Sequence, residues 1–363
     1  MRNNYLIKFL MCLSLTFSVN TFGQLNTPRG SQQATILQRV GITDISITYS
    51  RPSVNGREIW GKLVPYGMNN LGFGTATAAP WRAGANENTI ITFTHNVEVE
   101  GKPVKAGTYG LHFEVKKDGY ATLILSHDAN SWGSFFYDES NDALRATVLT
   151  KIVPHKELLT FEFNTVNPTS TVASLVWEKK EIPFTIEVPV TEIVLNEFRS
   201  KSKGQLGFNR QNWEQAAQFT LNNGGDLNEA LSWIDNAIAG QFYSQKTFNN
   251  VAIKAQILNK LGKKDDYATL MDEAASLANM NQLNNLGYQM LNAKDYERAL
   301  KYFKQNVADN PTNANVHDSL GEAYKTIGDK KNAIKYLKKS LSLNPPANVK
   351  ANSEKLLGEL GAL

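Results

Sequence analysis

The sequence predicts a multidomain chain, an N-terminal all-β antiparallel sandwich followed by an all-α solenoid. Three observations carry this. Between 43 and 188, short runs alternate apolar and polar residues and are separated by turns rich in Gly, Pro, Asn and Asp. Beyond Pro189 the hydrophobic period becomes helical. In the last third, Leu283, Leu286, Gly287, Met290, Ala299, Phe303 and Pro311 recur 34 positions later as His317, Leu320, Gly321, Tyr324, Ala333, Leu337 and Pro345.

The chain opens with a basic start at Arg2 and Lys8, an apolar run over 9–19, and Thr21-Phe22-Gly23 with small residues at the first and third positions. This is the layout of a secretory signal peptide over 1–23, cleaved after Gly23. The apolar run falls short of the ~20 residues that a membrane span needs. Export is therefore expected, to the periplasm or beyond, with no membrane span in the mature chain. Cys12 is the single cysteine and lies inside that run behind Met11, so a lipoprotein cleavage site does not fit and the mature chain carries no thiol. From Gln24 to Pro189 there are 15 Lys+Arg against 16 Asp+Glu, and beyond Pro189 there are 21 against 18. Neither half has the dense basic footprint of a nucleic-acid binder.

The β domain is expected over 24–189. Runs at 43–50, 89–93, 109–115, 120–126, 158–164, 171–177 and 182–188 read as strands. Turns are expected at Glu100-Gly101-Lys102, Lys117-Asp118-Gly119 and Asn167-Pro168, and Pro183 suits a strand end or an edge. A linker with a connecting helix follows over 190–210. Four helix-pair units are read over 211–347. The first has helices at 212–221 and 227–239 anchored by Ala230 and Ile234. The second spans 248–279, with Tyr267 and Met271 as anchors, and the third and fourth are the pair aligned above. A terminal helix at 351–360, within 348–363, would cover the last apolar face.

The pattern of a large residue, Leu-Gly, a second large residue, Ala-x3-large and Pro, spaced at 34, resembles the tetratricopeptide repeat. The strings YSRPSVNGREIWGKLVPYG (49–67), WRAGANENTIITF (81–93), VEGKPVKAGTYGLHF (99–113), DANSWGSFFYD (128–138) and LVWEKKEIPFTIEV (175–188) together resemble a bacterial exported family, domain of unknown function 2911. The resemblance covers about 24–188 and implies no established activity. Its members typically pass almost directly from the PYG string to the WR string. Here a Gly/Ala/Thr-rich stretch, 68–80, intervenes and is expected to lengthen a loop beside any site.

Candidate ligand residues on the β domain are Arg51, Arg57, Trp81, Arg82, Asn86 and Glu87. Guanidinium groups near an indole face and a carboxamide suit a carboxylate, phosphate or sugar. The competing bland reading is that these side chains satisfy loop carbonyls. In the repeats, the tetratricopeptide register implies a partner groove lined by Asn281, Asn284, Tyr288 and Asn292 of unit three and Asn315, Asp318, Glu322 and Lys325 of unit four. Carboxamides there would pair with an extended peptide backbone.

His95, His112, His127 and His155 stand at no metal-ligand spacing, so neither a metal nor a cofactor is expected. Nucleophile-elbow, phosphate-loop, zinc-helix and dinucleotide signatures do not occur, and Gly72–Ala76 is only a fragment of the last. The expected function is a non-enzymatic exported adaptor. Its solenoid would engage a protein or peptide, while the β domain binds a second ligand or acts as scaffold. The alternative is a carbohydrate-active or other hydrolase with two carboxylates near Trp81–Glu87, Glu87 among them.

Overall fold

The computed structural model describes residues 27–363. The expected leader, its cleavage after Gly23 and Cys12 lie outside the described residues. The chain divides into two compact units that meet at Val190/Thr191.

The first unit is a sandwich of two antiparallel sheets. One runs β1-β2-β3-β6-β7-β8 and the other β5-β4-β10-β9. The strands are β1 (Gln32–Val40), β2 (Thr43–Arg51), β3 (Thr89–Phe93), β4 (Val97–Val99), β5 (Lys102–Val104), β6 (Gly107–Val115), β7 (Tyr120–Ser126), β8 (Asp142–Leu149), β9 (Lys151–Asn167) and β10 (Ser170–Glu187). Alternation decides the faces: Ile45 and Ile47 of β2, Ile91 and Phe93 of β3, and Leu111 and Phe113 of β6 are fully buried. Tyr49 meets Phe161 at 4.9 Å between ring centroids and Phe113 meets Phe184 at 6.3 Å, joining the two sheets through one core.

Two strand readings are corrected. The runs at 171–177 and 182–188 are one strand, β10. The Glu178-Lys179-Lys180-Glu181 charge run is where it shifts register against β9, with Glu178 at φ 53°, and not where it ends. Pro183 accordingly sits inside β10, between the last pairing with β9 at Glu181 and the pairing with β4 at Ile186, where no ladder bond is asked of its nitrogen. Strands β1 and β8 were not foreseen. β1 is an edge strand joined to β2 across Gly41-Ile42, and its residues stay partly exposed until Val40, so no apolar period marks it.

The second unit is helical throughout: α1 (Val190–Lys201), α2 (Arg210–Asn223), α3 (Leu227–Ile238), α4 (Phe248–Lys260), α5 (Lys264–Leu277), α6 (Met280–Asn292), α7 (Tyr296–Asp309), α8 (Ala314–Ile327), α9 (Lys330–Ser342) and α10 (Ala347–Glu359). Side chains of Asn209, Asp226, Thr247, Asn279, Asp295, Asn313 and Asp329 cap helix N-termini. Each repeat closes where a glycine faces a large residue. A Cβ on Gly287 would lie 2.7 Å from the Phe303 ring, and one on Gly321 would lie 2.7 Å from Leu337 Cγ. The terminal helix begins at Ala347, four residues before the expected start, because Pro346 already stands at its N-cap. Leu356 and Leu357 of α10 pack on Leu337.

Candidate functional site

On the β unit a cavity of about 330 Å³ opens between loops and strand ends. Its walls come from distant parts of the sequence: Pro52, Val64, Leu71, Pro80, Trp81 and Trp177, with Arg57, Arg82, Asn69, Ser31 and Ser134 as polar lining. Trp81 follows on from β3 by exchanging both backbone hydrogen bonds with Phe113 of β6, at 2.9 Å each. Its indole stacks on Trp177, with centroids 6.0 Å apart, and Trp60 stands edge-on to both. The inserted stretch walls one side, as expected. Asn69 and Ala79 close it by exchanging backbone bonds of 3.0 and 2.8 Å, and Ala76 N donates to Phe135 O at 3.0 Å.

Arg82 is the most constrained polar group of the cavity. Its NH1 donates to Asn86 O at 2.5 Å, and the guanidinium carbon lies 4.8 Å from the Phe135 ring centre. Gly133, at φ 68°, packs against the same guanidinium. A Cβ there would stand 2.0 Å from Arg82 Cζ, so this position needs glycine for both space and backbone. Among the described residues no carboxylate pairs with Arg82, and burial alone holds its guanidinium below the usual arginine range.

Behind Arg82, the parity of β6 turns His112 away from Leu111 and Phe113, and the connection from β7 to β8 covers it. His112 Nδ1 and Ser134 Oγ are 3.0 Å apart, and both residues are buried. Burial, then the neighbouring Arg82 charge, push the imidazole down to about 4. Low basicity weakens the imidazole as a proton acceptor, and the contact holds the Ser134 hydroxyl in place. Sequence reasoning missed this pair because 22 residues separate its members and neither sits in a recognisable signature.

Of the six ligand candidates, Arg57, Trp81 and Arg82 line the cavity and three do not. Arg51 reaches from β2 to β9, donating to Leu159 O at 3.0 Å and Thr160 Oγ1 at 2.8 Å. Asn86 donates to Ser31 O at 3.1 Å. Glu87 pairs with Arg29, which lowers its carboxyl, and lies on a separate shallow concavity with Gln32, Gln33 and Ser50. Even Arg57 spends Nε and NH2 on Val54 O and Ser53 O. Among the described residues that line the cavity there is no Asp or Glu, so they do not assemble the two-carboxylate arrangement of the hydrolase alternative there.

In the helical unit half of the eight expected groove residues join one helix pair to the next. Tyr288 OH donates to Glu322 at 2.8 Å, and Lys325 pairs with Glu359 at 2.6 Å. Asp318 is buried against α10, where Asn352 donates to it at 2.8 Å and Ser353 donates to its other oxygen. Its reading as a groove contact is therefore corrected: the terminal helix claims it. Asn284 and Asn315 are half-buried, while Asn281 and Asn292 remain exposed.

A carboxamide-lined groove of about 530 Å³ instead lies between α2 and α4, the first helices of units one and two. Gln211, Gln215 and Gln218 line its α2 side at i, i+4 and i+7, and Asn249 and Gln256 line its α4 side around Ala252 and Ile253. A second concavity sharing Gln256 extends it past Asn222 and Asn259. Glu214 is paired within the groove with Arg210 at 2.5 Å and accepts a hydrogen bond from Asn250 Nδ2 at 2.9 Å.

Fold and sites thus define a helical-repeat protein carrying a β-sandwich with a partly open cavity. Residues 31–186 match the family described as a protein of unknown function, DUF2911, and residues 314–346 match the tetratricopeptide repeat. The matches thus lay a DUF2911 region on the first part of the chain and a tetratricopeptide-repeat match near the end of the second. Among curated proteins, none matches it. Solved structures similar to it include MamA residues 41-end from Desulfovibrio magneticus RS-1, at 20% identity and TM-score 0.29, covering 41% of this chain and 84% of that one. YrrB, described as a TPR protein with an unusual peptide-binding site, is 15% identical with TM-score 0.30, covering 46% and 84%. The C-terminal part of a TPR repeat-containing protein from Cytophaga hutchinsonii is 15% identical with TM-score 0.33, covering 47% and 74%. Among the described residues, no helix is long and apolar enough to cross a membrane, and no group of three or more His, Cys, Asp or Glu is placed to hold a metal.

Proposed function

We propose that this protein is an exported, non-enzymatic adaptor whose helical repeats seat an extended, uncharged segment of a partner protein between α2 and α4. The observation that carries the reading is the row of carboxamides at Gln211, Gln215, Gln218, Asn249 and Gln256 around an aliphatic floor. A carboxamide both donates and accepts, so a row of them pairs with peptide N–H and C=O groups without selecting a charge. Neutralisation of Glu214 removes the one carboxylate that would have imposed a charge preference. Export rests on the leader pattern at 1–23, and the mature chain is taken to begin at Gln24.

The test is crosslinked co-purification from the native host with three baits: the mature chain, its Q215A/Q218A/Q256A variant and a chain ending at Pro189. A stoichiometric partner recovered by the first and lost from both others supports the reading. Equal recovery by the first two baits would sink the groove. Intact-mass measurement of the purified mature chain reads the cleavage point.

A further inference from the structure

We infer that the β-unit cavity binds a small organic carboxylate with a compact apolar body, anchored by Arg82. The inference is independent of the groove reading, because every residue it uses lies between Ser31 and Trp177. Four observations converge on it. Arg82 brings a charge into the cavity with no internal carboxylate against it. That charge is held in one orientation between Gly133 and Phe135 and by Asn86 O, so an arriving anion meets a prearranged partner. Arg57, the other guanidinium on the wall, directs Nε and NH2 to Val54 O and Ser53 O, which leaves Arg82 as the planar group oriented to meet a planar carboxylate. The remaining wall is mostly apolar, from Pro52, Val64, Leu71, Pro80, Trp81 and Trp177, and suits a hydrocarbon or ring attached to the anion.

The other polar groups fit the same ligand. His112 is neutral at ordinary pH and 3.0 Å from Ser134 Oγ, so its Nδ1–H tautomer leaves the serine hydroxyl available to a carboxylate oxygen. The sequence strings at 49–67, 81–93, 128–138 and 175–188 each supply a wall residue, and the 99–113 string supplies His112 behind Ser134. Segments that read as unrelated loops along the chain therefore form one recess.

The experiment titrates the mature chain with benzoate, cyclohexanecarboxylate and hexanoate, each beside its neutral amide, and with phenyl phosphate. Binding is read by calorimetry and by the fluorescence of the Trp81/Trp177 stack. At least one carboxylate is expected to saturate with a Kd about tenfold or more below that of its amide, and phenyl phosphate is expected to be weaker than benzoate. R82M should erase the preference for the carboxylate over the amide, while R82K should restore part of it. Should R82M fail to fold, the carboxylate-to-amide ratio on the unaltered chain, with its loss in R82K under high salt, carries the decision. No saturable binding by any carboxylate, equal affinity for acid and amide, tighter phenyl phosphate, or an R82M variant that keeps the preference would each overturn the proposal.

Discussion

Mild acid should loosen the β unit through His112, and the size of the effect follows from its surroundings. An unfolded chain carries this imidazole at its ordinary value of 6.5, whereas the folded one holds it near 4 because protonation would place a buried charge beside Arg82. Above pH 6.5 the group is neutral in both states and contributes no pH dependence. Between pH 6.5 and about 4 the unfolded chain takes up the proton and the folded chain does not, so stability falls with falling pH. At about 1.4 kcal/mol per pH unit the loss reaches about 3 kcal/mol, and it levels off once both states are protonated. The assay is urea unfolding at pH 7, 6, 5 and 4.5, with pulsed hydrogen exchange on β6 and β7 peptides to separate this unit from the helices. H112N removes the titration and should flatten the slope, while carboxylates elsewhere contribute equally to both proteins. Parallel pH profiles for the two proteins would refute the reasoning.

Other consequences are equally direct. R51M removes the bonds from β2 to Leu159 O and Thr160 Oγ1; it should cost the β unit about 1–3 kcal/mol in urea unfolding yet leave benzoate affinity unchanged. G321A should destabilise α8 and α9 by about 1–3 kcal/mol after any gain in helix propensity. It should exceed G287A, because its Cβ would also approach the Leu337 backbone nitrogen at 3.1 Å, whereas at 287 only the Phe303 ring must yield; exchange rates in the two helix pairs measure the difference. L357A should cost the last repeat about 2–5 kcal/mol and appear as lost amide protection in α8 and α9, since Leu357 is 1% exposed and packs on Leu337.

The parts of this fold that a sequence can reveal are those with a strong local period. β3 and β7 have the limits read from the sequence, β3 by alternation with one buried face and β7 as a short apolar run buried on both. The 34-residue anchors mark units three and four for the same reason: Gly287 and Gly321 must be small where Phe303 and Leu337 must be large. β8 was also legible, since Leu144, Ala146 and Val148 alternate as buried residues, but the run was passed over. The EKKE run in β10 misled because four charged residues ordinarily end a strand, and only pairing with β9 shows that they bend it. The site was half legible. Arg57, Trp81 and Arg82 share a cavity with Ser134, which no local pattern ties to them, while Glu87 is drawn off by Arg29, far away in sequence. The α2/α4 groove is legible in the i, i+4, i+7 spacing of Gln211, Gln215 and Gln218, but the anchors of those first two units are too weak to mark it.

The bonds between successive first helices have a consequence for the order of the array. Tyr288 meets Glu322, Asp318 meets Asn352, and Lys325 meets Glu359, each pair 34 positions apart and each chemically different. Duplicating unit four would set an aspartate opposite an aspartate and a lysine opposite a lysine, where like charges repel. Skipping unit four would leave Tyr288 facing a helix that offers it no glutamate at the matching place, because that position in α10 is Leu356. The joints thus work like keyed connectors. Each is matched to the neighbour it has, so near-copies of one unit are not interchangeable at these joints.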